Sequence, residues 1–430
     1  MSTTPSKTAD VLVEEWETAG AGSLLFGGEP EFFGGLIGMV GSPDVKVLKA
    51  VHREHCSSSD SKVKFTTGNY SVTTTSETEW KFVMEPDAPI QWPVEGRLKQ
   101  DPNAATLMRK PTAPESLHTS MQQINAKLVA MGEYNLLAWQ DVVGARLFTG
   151  PMHVKYNGVL RGLFSPVPFL KTLMIQLCCA KEVAEEYVGT AKPWESPNGT
   201  LSYNEAIRTA NLYTTTLHVI HTCIFKLAKL TYVQPVYRGM SGRTPHKSFF
   251  VPNEHGVMGG VELGLLSASA DRTDAEKQSQ GGFGLVLELE QDAISRGADL
   301  SWLSQYPHES TIVFSPLCFL QLLKSRVEAH PISGSDILVC TMRVITCQAT
   351  PTIEHIIGKR KLVVTELCAG QVKDVRAAVG EAAAAQLAED FAQGPLAQDA
   401  TFFNDDAAFS KGISAALELA KNARDVAASP

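Results

Sequence analysis

Three short groups of residues in this chain have types and spacings that could do chemistry. The first is Ser304-Gln305-Tyr306-Pro307-His308-Glu309-Ser310-Thr311, a polar, aromatic-bearing loop that runs into the apolar Ile312-Val313-Phe314. Side chains two apart on an extended backbone share a face, so Glu309 and Thr311 would present a carboxylate and a hydroxyl to one ligand. The second group is Tyr237-Arg238-Gly239. An arginine at a strand end pairs bidentately with phosphate, and the glycine beside it lets backbone lie close to a flat ligand. The third is Leu266-Ser267-Ala268-Ser269. Small hydroxyl residues orient neighbours without filling a pocket, although a strand edge whose serines bond to local backbone has the same sequence.

Other candidates are weaker. Glu288-Leu289-Glu290 is a second pair of alternate carboxylates, placed at the end of a strand and expected to face solvent. His218 and His221 are three apart on a helix with no third ligand in view, so they read as helix residues, not as a metal site. Asp271-Arg272-Thr273-Asp274-Ala275-Glu276 puts acids in a first helical turn, where the macrodipole favours them.

Composition narrows the function classes. The chain has 430 residues, enough for two or three domains, and 44% hydrophobic content suits a buried core. A net charge of -8 without any block of Lys or Arg argues against nucleic acid or an anionic membrane as partner. No run of about 18 apolar residues could span a bilayer, and the polar start has no apolar core of a secretion signal. The eight cysteines include no C-x-x-C pair and read as reduced thiols in a cytoplasmic protein, with no metal. The glycosylation patterns at Asn69 and Asn198 are therefore expected to stay unmodified.

The elements that must position these groups follow from periodicity. Residues 1–25 read as a flexible start and 26–116 as an N-terminal extension. Within that extension lie a glycine-rich turn region from Gly27 to Val40, a hairpin around Thr67-Gly68-Asn69, a strand Glu79 to Val83 and a proline-bearing linker from 100 to 116. Apolar residues at three- and four-residue spacing predict helices over Leu117 to Met131 and Tyr134 to Phe148. A capping box at Ser202-Tyr203-Asn204-Glu205 opens a helix expected to continue to about Leu230. Strands follow at Val233 to Tyr237, Phe283 to Glu290, Thr311 to Phe314 and Ile337 to Ile345, the last after a hairpin turn at 331–336. Residues 117–350 are thus expected to form an α+β domain, and 351–430 an alanine-rich helical tail.

Taken as a series, Arg238, the Ser267/Ser269 pair and the 304–311 loop resemble the R-S-E elements of arginine-directed mono-ADP-ribosyltransferases. Arg146-Leu147-Phe148-Thr149-Gly150 with Tyr156-Asn157-Gly158-Val159-Leu160-Arg161, and Asp299 to Pro307 with Phe314-Ser315-Pro316, fit the same family. The resemblance covers roughly 135–347. His55-Cys56, Phe65 to Tyr70 and Glu79-Trp80 are similar to an extension of its protist and algal members. The resemblance implies a split β core with flanking helices and transfer of ADP-ribose from NAD to an arginine-bearing acceptor protein. By it, Arg238 would grip the NAD phosphates and the nicotinamide-side ribose, the Gly239 backbone would meet the nicotinamide amide, and Ser267, with Ser269 near it, would contact NAD and orient the catalytic carboxylate. Tyr306 would frame the acceptor loop and Glu309 would engage the acceptor guanidinium. The catalytic glutamate position is occupied by Thr311, and Ala268 replaces the usual threonine. Three further readings stay open: a register shifted by two that brings Glu309 inward, a scaffold that keeps the fold without the reaction, and an active transferase with a different acceptor.

Overall fold

The computed structural model describes residues 8–18, 22–24, 35–56, 65–67, 72–85, 109–165, 167–192, 195–281, 283–292, 294–346, 353–399, 402–403 and 405–428. The chain divides into two compact units, Met1–Cys347 and Gln348–Pro430.

In the first unit, α1 (Ala9–Thr18), β1 (Gly22–Leu24), α2 (Gly35–Val40) and α3 (Val47–Cys56) come first, then the antiparallel pair β2 (Phe65–Thr67) and β3 (Val72–Thr74) and the helix α4 (Ser76–Met84). A helical stretch follows: α5 (Pro114–Ala130), α6 (Trp139–Thr149), α7 (His153–Phe164), α8 (Pro168–Cys178), α9 (Lys181–Val188), α10 (Tyr203–Ile207) and α11 (Thr214–Ala228). The remainder is strand-rich: β4 (Val236–Ser241), β5 (Arg243–Pro245), β6 (Gly259–Glu262), β7 (Leu266–Ser269), α12 (Arg272–Gln278), β8 (Gly284–Glu290), β9 (Ala298–Asp299), β10 (Thr311–Phe314), β11 (Cys318–Ala329) and β12 (Asp336–Ile345). Eight strands form one sheet in the order β6-β11-β12-β8-β4-β7-β10-β9. The fold is α+β, as expected.

Two apolar clusters flank that sheet. Leu266, Leu287, Phe314, Leu320 and Met342 pack with Leu12, Val13 and Trp16 of α1. The helical cluster joins Val142, Leu147, Leu160 and Ile220 to Val51, Trp80 and Val83 of the N-terminal helices. The second unit has its own core, where α13 (Ile353–Ala378), α14 (Glu381–Gln393) and α15 (Asp406–Ala428) gather Val364, Cys368, Leu387, Phe391 and Phe403.

Four expectations are corrected. Residues 9–18 form a helix whose Leu12, Val13 and Trp16 are buried, each apolar side chain contributing about 1.5–3 kcal/mol. Of the region from Gly27 to Val40, 27–34 lie outside the described residues and 35–40 are helical. The strand expected at 79–83 belongs to α4: the Thr75 side chain accepts from the Thr78 amide at 3.2 Å, and Ser76, Glu79, Trp80 and Val83 are buried at helical spacing. The helix opened by Ser202 does carry its capping box but stops at Ile207. Tyr213 then takes a left-handed conformation (φ 50°), and a new helix starts at Thr214. Its first amides are satisfied from a distance, because Glu54 of α3 accepts from the Thr215 and Thr216 amides at 2.8 and 2.9 Å. Of the linker expected at 100–116, 100–108 lie outside the described residues and 114–116 already open α5; the turn at 68–71, with Asn69, also lies outside them.

Candidate active site at the split of the sheet

The strand β10 pairs with β7 in full register, Thr311 opposite Ser269 and Val313 opposite Ser267. By alternation Leu266, Ala268, Ile312 and Phe314 enter the core, while Ser267, Ser269 and Thr311 remain partly exposed on the other face. Next to β7 comes β4, yet among the described residues the two share one pair, Tyr237 with Ser269. Beyond it the strands diverge. The Arg238 guanidinium bridges the opening, its Nη1 donating to the Ser267 carbonyl oxygen at 2.6 Å. The fold therefore brings Arg238, Gly239, Ser267, Ser269 and Thr311 to one break in the sheet.

Behind Arg238 stands a second, paired arginine. Arg161 of α7 donates to Glu262 through Nε at 2.9 Å and Nη2 at 3.1 Å, and the Gly264 amide donates to the same carboxylate at 2.7 Å. Burial, then the nearby Arg161 cation, brings the Arg238 pKa down to about 10, which leaves it charged at neutral pH. Burial raises the Glu262 carboxyl, but Arg161 outweighs this and holds it below the usual carboxylate range. Burial, with Arg238 and Arg161 adding to it, keeps His153 below its ordinary pKa despite its bond to the Gly150 carbonyl at 2.9 Å. Two guanidinium groups against one carboxylate leave the opening cationic, an arrangement that suits a phosphate.

The glycines and the amide of Asn157 set the spacing. A Cβ on Gly239 would lie 1.7 Å from the Ala275 carbonyl oxygen, so the close approach there is that of α12. Asn157 clamps Leu265, its Oδ1 accepting from the Leu265 amide at 2.7 Å and its Nδ2 donating to the Leu265 carbonyl at 3.3 Å. That grip fixes the start of β7 and thereby Ser267. Ser269 is committed to α12: its hydroxyl donates to Asp274 at 2.9 Å and accepts from the Asp271 amide at 3.0 Å. Among the described residues the Ser267 hydroxyl has no protein partner, which leaves it available to a ligand.

The loop before β10 is built from beneath. Arg146 of α6, 1% exposed, donates from Nη1 to the Leu303 and Ser304 carbonyls at 2.8 and 3.0 Å. Gln305 returns a bond from Nε2 to the Arg146 carbonyl at 2.7 Å, and its amide donates to the Thr149 hydroxyl at 3.1 Å. A Cβ on Gly150 would lie 2.3 Å from Gln305 Nε2, so the helix end and the loop lock together. Tyr306 lies under the turn with 1% exposed, and burial pushes its phenol well up. It supports the loop and does not reach the surface of the cleft. The Glu309 amide closes the turn on the Tyr306 carbonyl at 3.0 Å, and its half-buried carboxylate lies 3.8 Å from His308 Nε2.

The remaining candidates fall away from this site. Glu288 does not face solvent alone, since Arg326 meets it at 2.7 and 2.8 Å and Arg272 at 2.9 Å. His218 bonds the Gly41 carbonyl, and burial brings His221 down to about 4. Among the described residues no group of three His, Cys, Asp or Glu could hold a metal ion, and no helix is long and apolar enough to cross a membrane. Arg161 and Asn157 stand within a motif that gives them no task, and Glu262 carries no local signal at all. Their partners lie about a hundred positions away, so no local signal could have paired them.

No family model matches the chain, and no curated protein matches it. Solved structures do. Plx2a, an ADP-ribosyltransferase toxin from Paenibacillus larvae, is similar at 15% identity over 54% of this chain and 96% of that one, with a TM-score of 0.31. The Vis toxin, an ADP-ribosyltransferase from Vibrio splendidus, shows 14% identity over 58% and 94%, TM-score 0.28. Exoenzyme S from Pseudomonas aeruginosa, solved with human 14-3-3 protein beta and bound to carba-NAD, shows 16% identity over 53% and 86%, TM-score 0.29.

Proposed function

We propose that the first unit is an ADP-ribosyltransferase-type domain that binds NAD at the split between β4 and β7, and whose ancestral reaction transfers ADP-ribose to a protein arginine. The observation that carries this reading is the Arg238 guanidinium held on the Ser267 carbonyl across the break, with Thr311 one strand further on. Arg238, backed by the Arg161–Glu262 pair, grips the pyrophosphate. The Ser267 hydroxyl meets the nicotinamide-side ribose, and Glu309 accepts hydrogen bonds from the acceptor guanidinium.

In the reaction the bond from ribose C1′ to the nicotinamide nitrogen breaks, and its electron pair leaves with nicotinamide. An acceptor guanidine nitrogen forms the new bond to C1′ and gives up a proton. Positive charge builds on the ribose meanwhile, and a fixed carboxylate in a dry site stabilises it. Thr311 offers a hydroxyl and no charge. Loss of one preorganised electrostatic partner costs about 10²–10³ in rate, roughly 3–4 kcal/mol. Turnover is accordingly weak. A labelled-NAD assay of transfer and hydrolysis tests this: trace turnover fits, and robust wild-type transfer refutes the weakened reading. The uncharged side chain of Thr311 also favours one alternative, an inactive NAD-binding or scaffold protein acting through partners; binding without any turnover identifies it.

A further inference from the structure

We propose that the buried Glu79–Arg109 ion pair is a positioning device for the acceptor loop, which makes the chain N-terminal to α5 a working part of the site. The inference rests on the functional reading above for the loop's task. Glu79 comes from α4 and Arg109 from the segment entering α5. They meet as a fork, Nη1 to Oε1 at 3.1 Å and Nη2 to Oε2 at 2.7 Å, with the arginine side chain 9% exposed and the glutamate 0%. The guanidinium also lies over the Phe82 ring, 4.0 Å from its centroid.

From this fixed point the backbone enters the loop directly. The Lys110 amide donates to the Gln305 carbonyl at 2.8 Å, and the Lys110 carbonyl accepts from Arg146 Nη2 at 2.7 Å. The other Arg146 nitrogen holds the Leu303 and Ser304 carbonyls. Lys110 and Arg146 thus close a ring of hydrogen bonds around residues 303–305. Tyr306 comes next, within electrostatic reach of both Arg109 and Glu79, and its carbonyl carries the Glu309 amide. The connection runs from Glu79 through Arg109, Lys110, Gln305 and Tyr306 to Glu309.

A buried ion pair is poor evidence of a stabilising role, because an apolar pair of similar volume often serves as well. What the fork adds is direction. A guanidinium fixed at both nitrogens fixes the peptide after it, and that peptide is the one bonded to the loop. A misplacement of about 1 Å at a positioned group can cost 10²-fold in rate.

The test is the double variant Glu79→Met/Arg109→Met, which fills the space without leaving a charge unpaired, together with Arg109→Lys, which keeps the charge and loses the fork. Amide hydrogen exchange at 303–310 and NAD affinity are measured on both. Acceptor KM is measured with agmatine in a Thr311→Glu background. Melting and NAD affinity should be retained, while loop exchange and acceptor KM each rise about ten-fold or more. Unchanged loop exchange and unchanged acceptor KM in a folded variant overturn the proposal. Failure of the wild type to bind NAD defeats the functional reading instead, and loop exchange still decides the positioning claim.

Discussion

Thr311 stands opposite Ser269 where β10 enters the sheet, offering a hydrogen bond where the proposed reaction calls for a charge. If the cleft is otherwise intact, Thr311→Glu raises NAD hydrolysis by about 10²–10³. No gain in the labelled-NAD assay means that the pocket has drifted further, or that Glu309 already fills the inner position. Glu262 makes a pH prediction. Its folded-state pKa lies below the unfolded value, so its stabilisation is complete above the unfolded carboxylate range, about 4.3, and fades as pH falls through the folded value. Glu262→Gln should therefore flatten the acid limb of melting temperature against pH. A limb identical to wild type contradicts the pairing with Arg161.

Gly239 ties a residue to an element, because its missing Cβ is what allows α12 to lie on β4. Gly239→Ala must push a helix backbone outward, an overpacking cost of about 1–3 kcal/mol, read by thermal melting. A variant as stable as wild type shows that α12 yields easily. At this scale the sequence was legible where spacing is local. The i, i+3, i+4 rows of α5 and α6 and the short apolar runs of β8 and β10 announced themselves. It misled at α4, where Trp80, Phe82 and Val83 suggest a strand by composition while Ser76, Glu79, Trp80 and Val83 keep helical spacing. The break before α11 was not legible, because its cap, Glu54, comes from another helix. For the site, motif order placed Arg238, Ser267 and Thr311 together, whereas Arg161 with Glu262, 101 positions apart, needed the fold.

The molecule consists of two compact units, each with its own core. Every group placed at the split comes from the first. Residues 1–347 expressed alone should melt as a single cooperative transition and keep the full NAD affinity of the whole chain. A piece that aggregates, or that binds NAD at least ten-fold more weakly by about 1.4 kcal/mol, assigns the helical unit a part in the site. The net charge of -8 makes the cationic opening at Arg238 and Arg161 a local feature, suited to one small anion.

The proposed function requires that a dinucleotide seat on Arg238 where β4 leaves β7. Calorimetric titration of NAD into the wild type and into Arg238→Gln tests it most directly. The wild type should show saturable one-site binding, falling at least ten-fold in the variant. Absence of binding at millimolar NAD, or equal affinity in both proteins, contradicts it.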